Sequence, residues 1–392
     1  MDILTTSWVV PVDSPPLPSG RVAVESGHVA WVGGKDDPGC PEGKTRDLGP
    51  GVLLPGLVNA HCHLELSHLG RELPTGSGFV PWVESVVALR GRLPERQVRE
   101  RTADGIRFLE ERATVAVGDV SNSLAHLDLL AASTLRAVVF LELLAWDPAR
   151  AEATLAGALE RLESVTSGVE VRLAAHAPHS VSPALLRRLG EQPPGAIHLA
   201  ESREEVRFLE WGDGPWADFL NRRGLGHVAF EAPGLSPVRY VESLGVLRPG
   251  LVAAHGVHVD AEDRELLARS GAFVVVCPRS NRNLGVGTAD VPALLGAGAR
   301  LALGTDSLAS VETLDVLEDA SLVARQFPGL DPAAIVRMAT AGGAEALGLG
   351  DLGTIAPGRR AALAFAAAQK SPPDPYSLLL EGSTTLRPVE LS

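Results

Sequence analysis

Two histidines one residue apart, His61-Cys62-His63, lie at the end of an apolar run, VLLPGLVNAH, at residues 52–61. On a strand, residues i and i+2 project to one face, so both imidazoles can reach a single divalent ion. Three further runs end the same way. His198 and Glu201 close AIHLAE at 196–201, His255 lies in LVAAHG at 251–256, and Asp306 closes LALGTD at 301–306. Imidazole and carboxylate donors suit zinc, and iron also fits. Such an ion lowers the pKa of a bound water toward neutrality, and a neighbouring carboxyl can move protons. Any one of these residues is unremarkable in a packed core. Six at the ends of successive apolar runs call for a common cause.

That cause is an architecture that brings strand ends together. Eight short apolar runs begin at 52, 114, 137, 169, 196, 251, 273 and 301. They recur about every 36 residues, the length of a βα unit. Fully apolar strands separated by Arg/Glu/Leu-rich helical stretches predict a (β/α)8 TIM-type barrel, whose C-terminal rim collects the polar strand ends around one mouth. Helices are predicted over 95–112, after Pro183 and after Asp331-Pro332, with proline in the first turn and aspartate as a cap. The long gaps 61–114 and 201–251 call for extra helices or active-site loops. Residues 21–32 read as a hairpin turning at Ser26-Gly27. Residues 351–365 read as returning strands, and the tail after Lys370 as loop. The expected domains are a small β-sandwich from 1–51 and 350–392, and a barrel over 52–349.

Composition narrows the function. The chain has 392 residues, 48 acidic and 35 basic, with a net charge of −13. An acidic protein is not a general nucleic-acid binder. Three scattered cysteines, Cys40, Cys62 and Cys277, make neither a disulfide framework nor a CxxC zinc site, which excludes the zinc deaminases built on PCxxC. The N-terminus lacks the pattern of a signal peptide, and no run is long enough to span a membrane, so the chain reads as cytoplasmic. Lysine occurs only at 35, 44 and 370.

The pieces PGLVNAHCHLE (55–65), IHLAES (197–202), AAHGVHVD (253–260), CPRSN (277–281), LGTDSLAS (303–310) and GTIAPGRRAAL (353–363) resemble the amidohydrolase superfamily, in particular its cytosine/adenosine deaminase-like branch. The likeness runs along nearly the whole chain. One departure is Arg360-Ala361-Ala362, where the family usually has Ala-Asp. The resemblance implies that His61, His63, His198 and Asp306 bind one metal ion, and that Glu201, His255 and Asp306 carry the catalysis. Many members bridge two metals with a carbamylated lysine at the fourth strand end. Here that strand ends in Ala174-Ala175-His176-Ala177-Pro178-His179, and no lysine lies between 44 and 370, so a mononuclear site is expected.

The resemblance also points to a substrate. HLELSHL, FVPWV, HAPHS and PRSN look most like the aminodeoxyfutalosine deaminases of the menaquinone pathway, which release ammonia from a 6-aminopurine nucleoside bearing an aryl carboxylate. Adenosine, methylthioadenosine and S-adenosylhomocysteine are close competitors. A mononuclear amidase or chlorohydrolase would use the same metal set. Candidate substrate contacts are His176, His179, Glu65, the aromatic pair Phe79 and Trp82, Ser310, and Arg279, the last as the counter-charge for an acidic group. A homodimer is the oligomer that the family suggests.

Overall fold

A computed structural model describes residues 1–70, 73, 76, 78–382 and 384–391. Eight parallel strands carry its core: Leu57–Cys62, Thr114–Ser121, Arg136–Leu143, Glu170–Ala175, Ala196–Leu199, Val252–His255, Phe273–Val276 and Arg300–Leu303. They form two four-stranded sheets, strands one to four and strands five to eight, each in sequence order. Backbone bonds also cross both seams. The His198 N–H donates to the His176 carbonyl at 2.9 Å, joining strands four and five, and the N–H groups of Thr305 and Asp306 donate to the His61 carbonyl at 3.1 Å, joining strands eight and one. Helices follow the strands and cover their outer faces, as a parallel sheet requires. All eight predicted runs are strands, including Thr114–Ser121, which is almost wholly buried.

The helix starts follow the capping logic. Ser182 accepts from the Leu185 N–H ahead of Pro183–Gly190, and Asp331 accepts from the Ala333 N–H ahead of Pro332–Met338. Glu95–Glu111 is helical, as its pattern predicts. The two long gaps hold Leu64–Leu69 and Phe79–Leu89 in one, and Arg203–Trp211, Pro215–Arg222 and Pro237–Ser243 in the other. No helix among the described residues is long and apolar enough to cross a membrane.

Three expectations need correction. The run at 52–61 is two strands, not one. Gly51–Pro55 pairs with Leu363–Ala367 in a terminal sheet, while Leu57–Cys62 joins the parallel strands. The chain changes sheets at Gly56, where a Cβ would lie 2.2 Å from Val115 Cγ1, so only glycine fits. Of residues 351–365, only the end is strand, and its partners are Gly51–Pro55 and Leu386–Pro388. The tail is not all loop. Asp374 caps a helix, Pro375–Leu380, by accepting from the Ser377 N–H at 2.7 Å.

The chain ends form two sheets. One holds Asp2–Thr5, Arg21–Glu25, His28–Gly33 and Lys44–Asp47; the other holds Trp8–Val9, Leu17–Pro18, Gly51–Pro55, Leu363–Ala367 and Leu386–Pro388. Leu4, Val22 and Val24 of the first pack with Val9, Leu53, Leu363 and Phe365 of the second in one apolar cluster. The hairpin turn at Ser26-Gly27 has left-handed φ of 51° and 76°, the geometry that suits the twist of its strands.

Candidate active site

Strand twist and a few left-handed residues aim the polar side chains inward. Ala200, His255 and Asp306 have φ of 52°, 76° and 61°, each just at or beyond a strand end. This conformation is costly for residues with a Cβ, and such residues cluster at functional sites. Gly304 lets strand eight close on strand one, because a Cβ there would lie 2.8 Å from both Cβ and carbonyl oxygen of His61.

Four side chains converge. His63 Nε2 lies 3.3 Å from His61 Nε2 and 3.1 Å from His198 Nε2, and Asp306 Oδ1 is 3.5 Å from His63 Nε2 and 3.9 Å from His61 Nε2. His198 Nδ1–H donates to the His176 carbonyl at 2.7 Å, so its Nε2 presents a bare lone pair. Burial, above all, holds His61, His63 and His255 below the ordinary imidazole range, with neighbouring imidazoles adding to the effect at His61. Burial works to raise the Asp306 carboxyl, but His63, His255, His198 and the Ser280 hydroxyl outweigh it and keep it ionised. Neutral imidazole lone pairs facing one another beside a carboxylate repel unless a cation lies between them. The donor set therefore fits a divalent metal, and its nitrogen-rich composition fits zinc.

The outer contacts fix these donors. Ser280 and Ser310 hydroxyls donate to Asp306 Oδ2 at 2.7 and 2.8 Å, leaving Oδ1 toward the histidines. The His255 Nδ1–H donates to Asn281 Oδ1 at 2.8 Å, and its Nε2 has no hydrogen-bond partner among the described residues. Glu201 Oε1 lies 3.6 Å from that nitrogen. Burial pushes the Glu201 carboxyl up to about 8; His198 opposes that shift, and Asp306 and Glu205 add to it. A carboxyl that keeps its proton at neutral pH is a proton donor. Glu205 anchors this segment, its carboxylate accepting from the N–H groups of Ala200 and Glu201 at 3.2 and 2.7 Å.

A cavity of about 450 Å³ opens over this cluster. His63, His198, Glu201, His255 and Asp306 reach it, and so do Glu65, Phe79, Trp82 and His176 among the predicted contacts. Glu65 is committed to a loop, accepting from Asn122 N–H, Ser123 N–H and the Ser121 hydroxyl. His179 is buried behind the wall against Trp216, with ring centroids 4.2 Å apart. Ser310 acts on Asp306 rather than on the cavity.

Arg279 does not meet the cavity, and its expected role as a counter-charge for substrate is corrected. Its guanidinium is buried, with Nε and Nη2 donating to Asp319 Oδ2 at 2.9 and 2.8 Å, Nη2 also donating to the carbonyls of Thr313 and Asp315, and Nη1 paired with Glu318. Every donor direction is spent inside the protein.

Sequence reasoning missed Glu142, Asn122, Trp146 and Trp216 on the cavity wall, and Ser280 and Asn281 behind the cluster. Glu142 offered a signal. It is the acidic residue that interrupts AVVFLELL, at a strand end like the other site residues. The tryptophans sit on helices and loops, where nothing local distinguishes them from packing residues.

The amidohydrolase family profile matches residues 52–385. An aminodeoxyfutalosine deaminase of Deinococcus radiodurans is 39% identical over 316 residues, covering 76% of this chain and 73% of that protein. Among solved structures, an aminofutalosine deaminase of Helicobacter pylori in complex with methylthio-coformycin superposes with a TM-score of 0.85 at 24% identity, over 100% of both chains. An adenosine deaminase of Xanthomonas campestris with bound zinc superposes with a TM-score of 0.78 at 26% identity, over 99% of this chain and 92% of the other. These neighbours have the TIM-type barrel architecture.

Proposed function

This chain belongs to the amidohydrolase family, and from that membership we propose that it removes the 6-amino group of a purine nucleoside by hydrolysis, releasing ammonia. The observation that carries the reading is the pairing of a metal-fitting cluster with a carboxyl, Glu201, that burial keeps protonated at its edge. Amide hydrolysis has no need of such a proton donor to a ring nitrogen; deamination does. We assign His61, His63, His198 and Asp306 to hold one divalent ion, with zinc favoured by the donor types and by the zinc-bearing relative. When bound, the ion supplies the positive charge that acidifies a water molecule near neutral pH.

The chain's own residues do the rest. Asp306, its Oδ2 held by two hydroxyls, takes a proton from the attacking water through Oδ1. His255, with its Nδ1–H tied to Asn281, steadies the same water from Nε2. Glu201 delivers its proton to the adjacent ring nitrogen, which makes the amine-bearing carbon electrophilic. The water oxygen adds to that carbon, the proton held by Asp306 passes to the amine, ammonia leaves, and the hydroxyl proton returns to Glu201 as the ring carbonyl forms. Phe79, Trp82, Trp146 and Trp216 supply flat walls for the base and exclude water. Aminodeoxyfutalosine is the substrate we favour, because the Deinococcus radiodurans relative bears that name; adenosine, methylthioadenosine and S-adenosylhomocysteine complete the set to be tried. We read the eight strands as one closed barrel and the terminal sheets as a β-sandwich sharing one core, divided near Gly56 and residue 350.

The test is ammonia release from those four nucleosides by metal-loaded protein, with metal counted per chain. One ion per chain and turnover of at least one nucleoside are expected; turnover of none sinks the reading. Glu201→Gln should keep the ion and lose turnover by about 10²- to 10⁴-fold. Retained activity would remove Glu201 from proton transfer.

A further inference from the structure

Among the described residues, the mechanism leaves two acidic side chains besides Glu65 on the cavity wall unused; Asp147 caps a helical turn by accepting from the Ala149 N–H at 2.9 Å, which leaves Glu142 without a task. Glu142 lies near the end of the third parallel strand, and its side chain is 6% exposed. Oε2 accepts from Asn122 Nδ2 at 2.9 Å. Asn122 is itself fixed, its N–H donating to Glu65 at 2.8 Å and its Oδ1 accepting from Arg90 at 3.0 Å. Glu142 Oε1 has no hydrogen-bond partner among the described residues. His198 Nδ1 lies 3.7 Å away, beyond hydrogen-bond reach, and gives its proton to the His176 carbonyl instead. A ring nitrogen of His176 is within 4.8 Å, but the His176 Nδ1 is hydrogen-bonded with the Ser180 hydroxyl at 2.5 Å, and no hydrogen bond joins His176 to Glu142 Oε1 among the described residues. A buried carboxylate oxygen held in place with an empty acceptor site is costly unless a donor arrives from outside.

We propose that Glu142 recognises the sugar hydroxyls of the nucleoside, an inference that rests on the nucleoside reading above. The purine nucleoside core carries hydrogen-bond donors in only two places, the exocyclic amine and the ribose hydroxyls. The amine must lie beside Glu201 and His255, where it leaves. The hydroxyls are the donors that remain for a carboxylate set off from the reacting carbon, beyond the His198 ring. The Glu65–Asn122–Glu142 chain then acts as a support that presents Oε1 to a vicinal diol.

The experiment compares kcat/KM for the fastest of the four nucleosides with that for its 2′-deoxy and 3′-deoxy forms, in the wild type, Glu142→Leu and Glu142→Gln. A charge-assisted hydrogen bond predicts that the wild type prefers the ribonucleoside by about 10- to 100-fold over at least one deoxy form. Glu142→Leu should remove that preference, and Glu142→Gln should reduce it, with one metal ion per chain kept in both. If Glu142→Leu does not fold, the Gln variant carries the same comparison. A wild type that accepts the deoxy forms equally well would overturn the inference, and so would variants that slow all three substrates alike, the mark of a residue that merely orients His198 or supports the wall. A second metal equivalent that disappears in the Gln variant would also overturn it, because Glu142, His176 and His198 would then be holding a cation. Wild-type protein that deaminates none of the parent nucleosides would overturn the nucleoside reading and this inference with it; wild-type turnover without discrimination overturns the inference alone.

Discussion

Removing the Arg279 guanidinium separates a structural role from a substrate role. In Arg279→Met, Asp319 is left with its Oδ2 stripped of two charge-assisted donors in a site that is 0% exposed, while the backbone N–H at 279 still reaches Oδ1. The carbonyls of Thr313 and Asp315 also lose their donor. Breaking a buried pair from one side costs about 3–5 kcal/mol, because the remaining charge is uncompensated. For a chain of 392 residues melting as one unit, the unfolding entropy is about 0.8 kcal/mol/K. The melting temperature should therefore fall by about 4–6 °C. Arg279→Met combined with Asp319→Leu should recover most of that loss, since an apolar pair of similar volume is often as stable as the ion pair it replaces. Scanning calorimetry of the wild type, both single variants and the double variant gives the coupling directly. Kinetics supply the second arm. KM should change by the same factor for a nucleoside bearing a carboxylate and for adenosine. An unchanged melting temperature with KM raised only for the acidic nucleoside would refute the argument and restore Arg279 as a substrate anchor.

Three further outcomes follow from the geometry. Ser280→Ala and Ser310→Ala each remove one hydroxyl from Asp306 Oδ2, and metal affinity, read by competition with a chelator, should weaken about 10- to 100-fold. Gly304→Ala drives a Cβ to 2.8 Å from the His61 backbone and side chain, so it should lower both the metal content and the melting temperature; a variant that keeps full metal content would show that the seam can open without cost. Burial raises the Asp315 carboxyl to about 6, above its value in an unfolded chain, so the folded state favours the protonated form. That contribution is complete below about pH 4 and is lost as the pH rises through about 6. Asp315→Asn, which keeps an oxygen for the Leu317 N–H, should flatten this dependence and be about 2–3 kcal/mol more stable than the wild type at pH 8. Equal pH dependence of denaturant unfolding in the two proteins would rule it out.

Much of this protein was written locally, and the reason is geometric. Strands buried on both faces must be apolar throughout, so eight runs of that kind stood out, and polar residues at their ends stood out against them. Spacing of two along a strand fixes a common face, which put His61 and His63 together before any fold was known. The motifs around His198, Glu201, His255 and Asp306 carried the family. The shortage of lysine spoke against a carbamylated bridge, because chemistry that needs a lysine cannot occur without one.

Tertiary structure decided what depends on partners distant in sequence. Whether an apolar run is one strand or two depends on which sheet accepts each half; Gly51–Pro55 pairs in the terminal sheet and Leu57–Cys62 with the parallel strands, and between them Gly56 lies against the Val115 side chain. Whether an arginine reaches substrate depends on where acids fall in space; Arg279 meets Asp319, forty residues away, and is consumed. The orientation of His255 depends on Asn281, and that of Asp306 on Ser280 and Ser310, through single hydrogen bonds that no periodicity records. Glu142 interrupts a buried strand. Its unfilled oxygen became visible only when Asn122, His176 and His198 were seen around it. The sequence specified which chemistry was available, since residue type and local period are properties of the chain itself. The fold specified which of those residues face the cavity and which are spent on one another, because hydrogen bonds and ion pairs are settled by proximity in space.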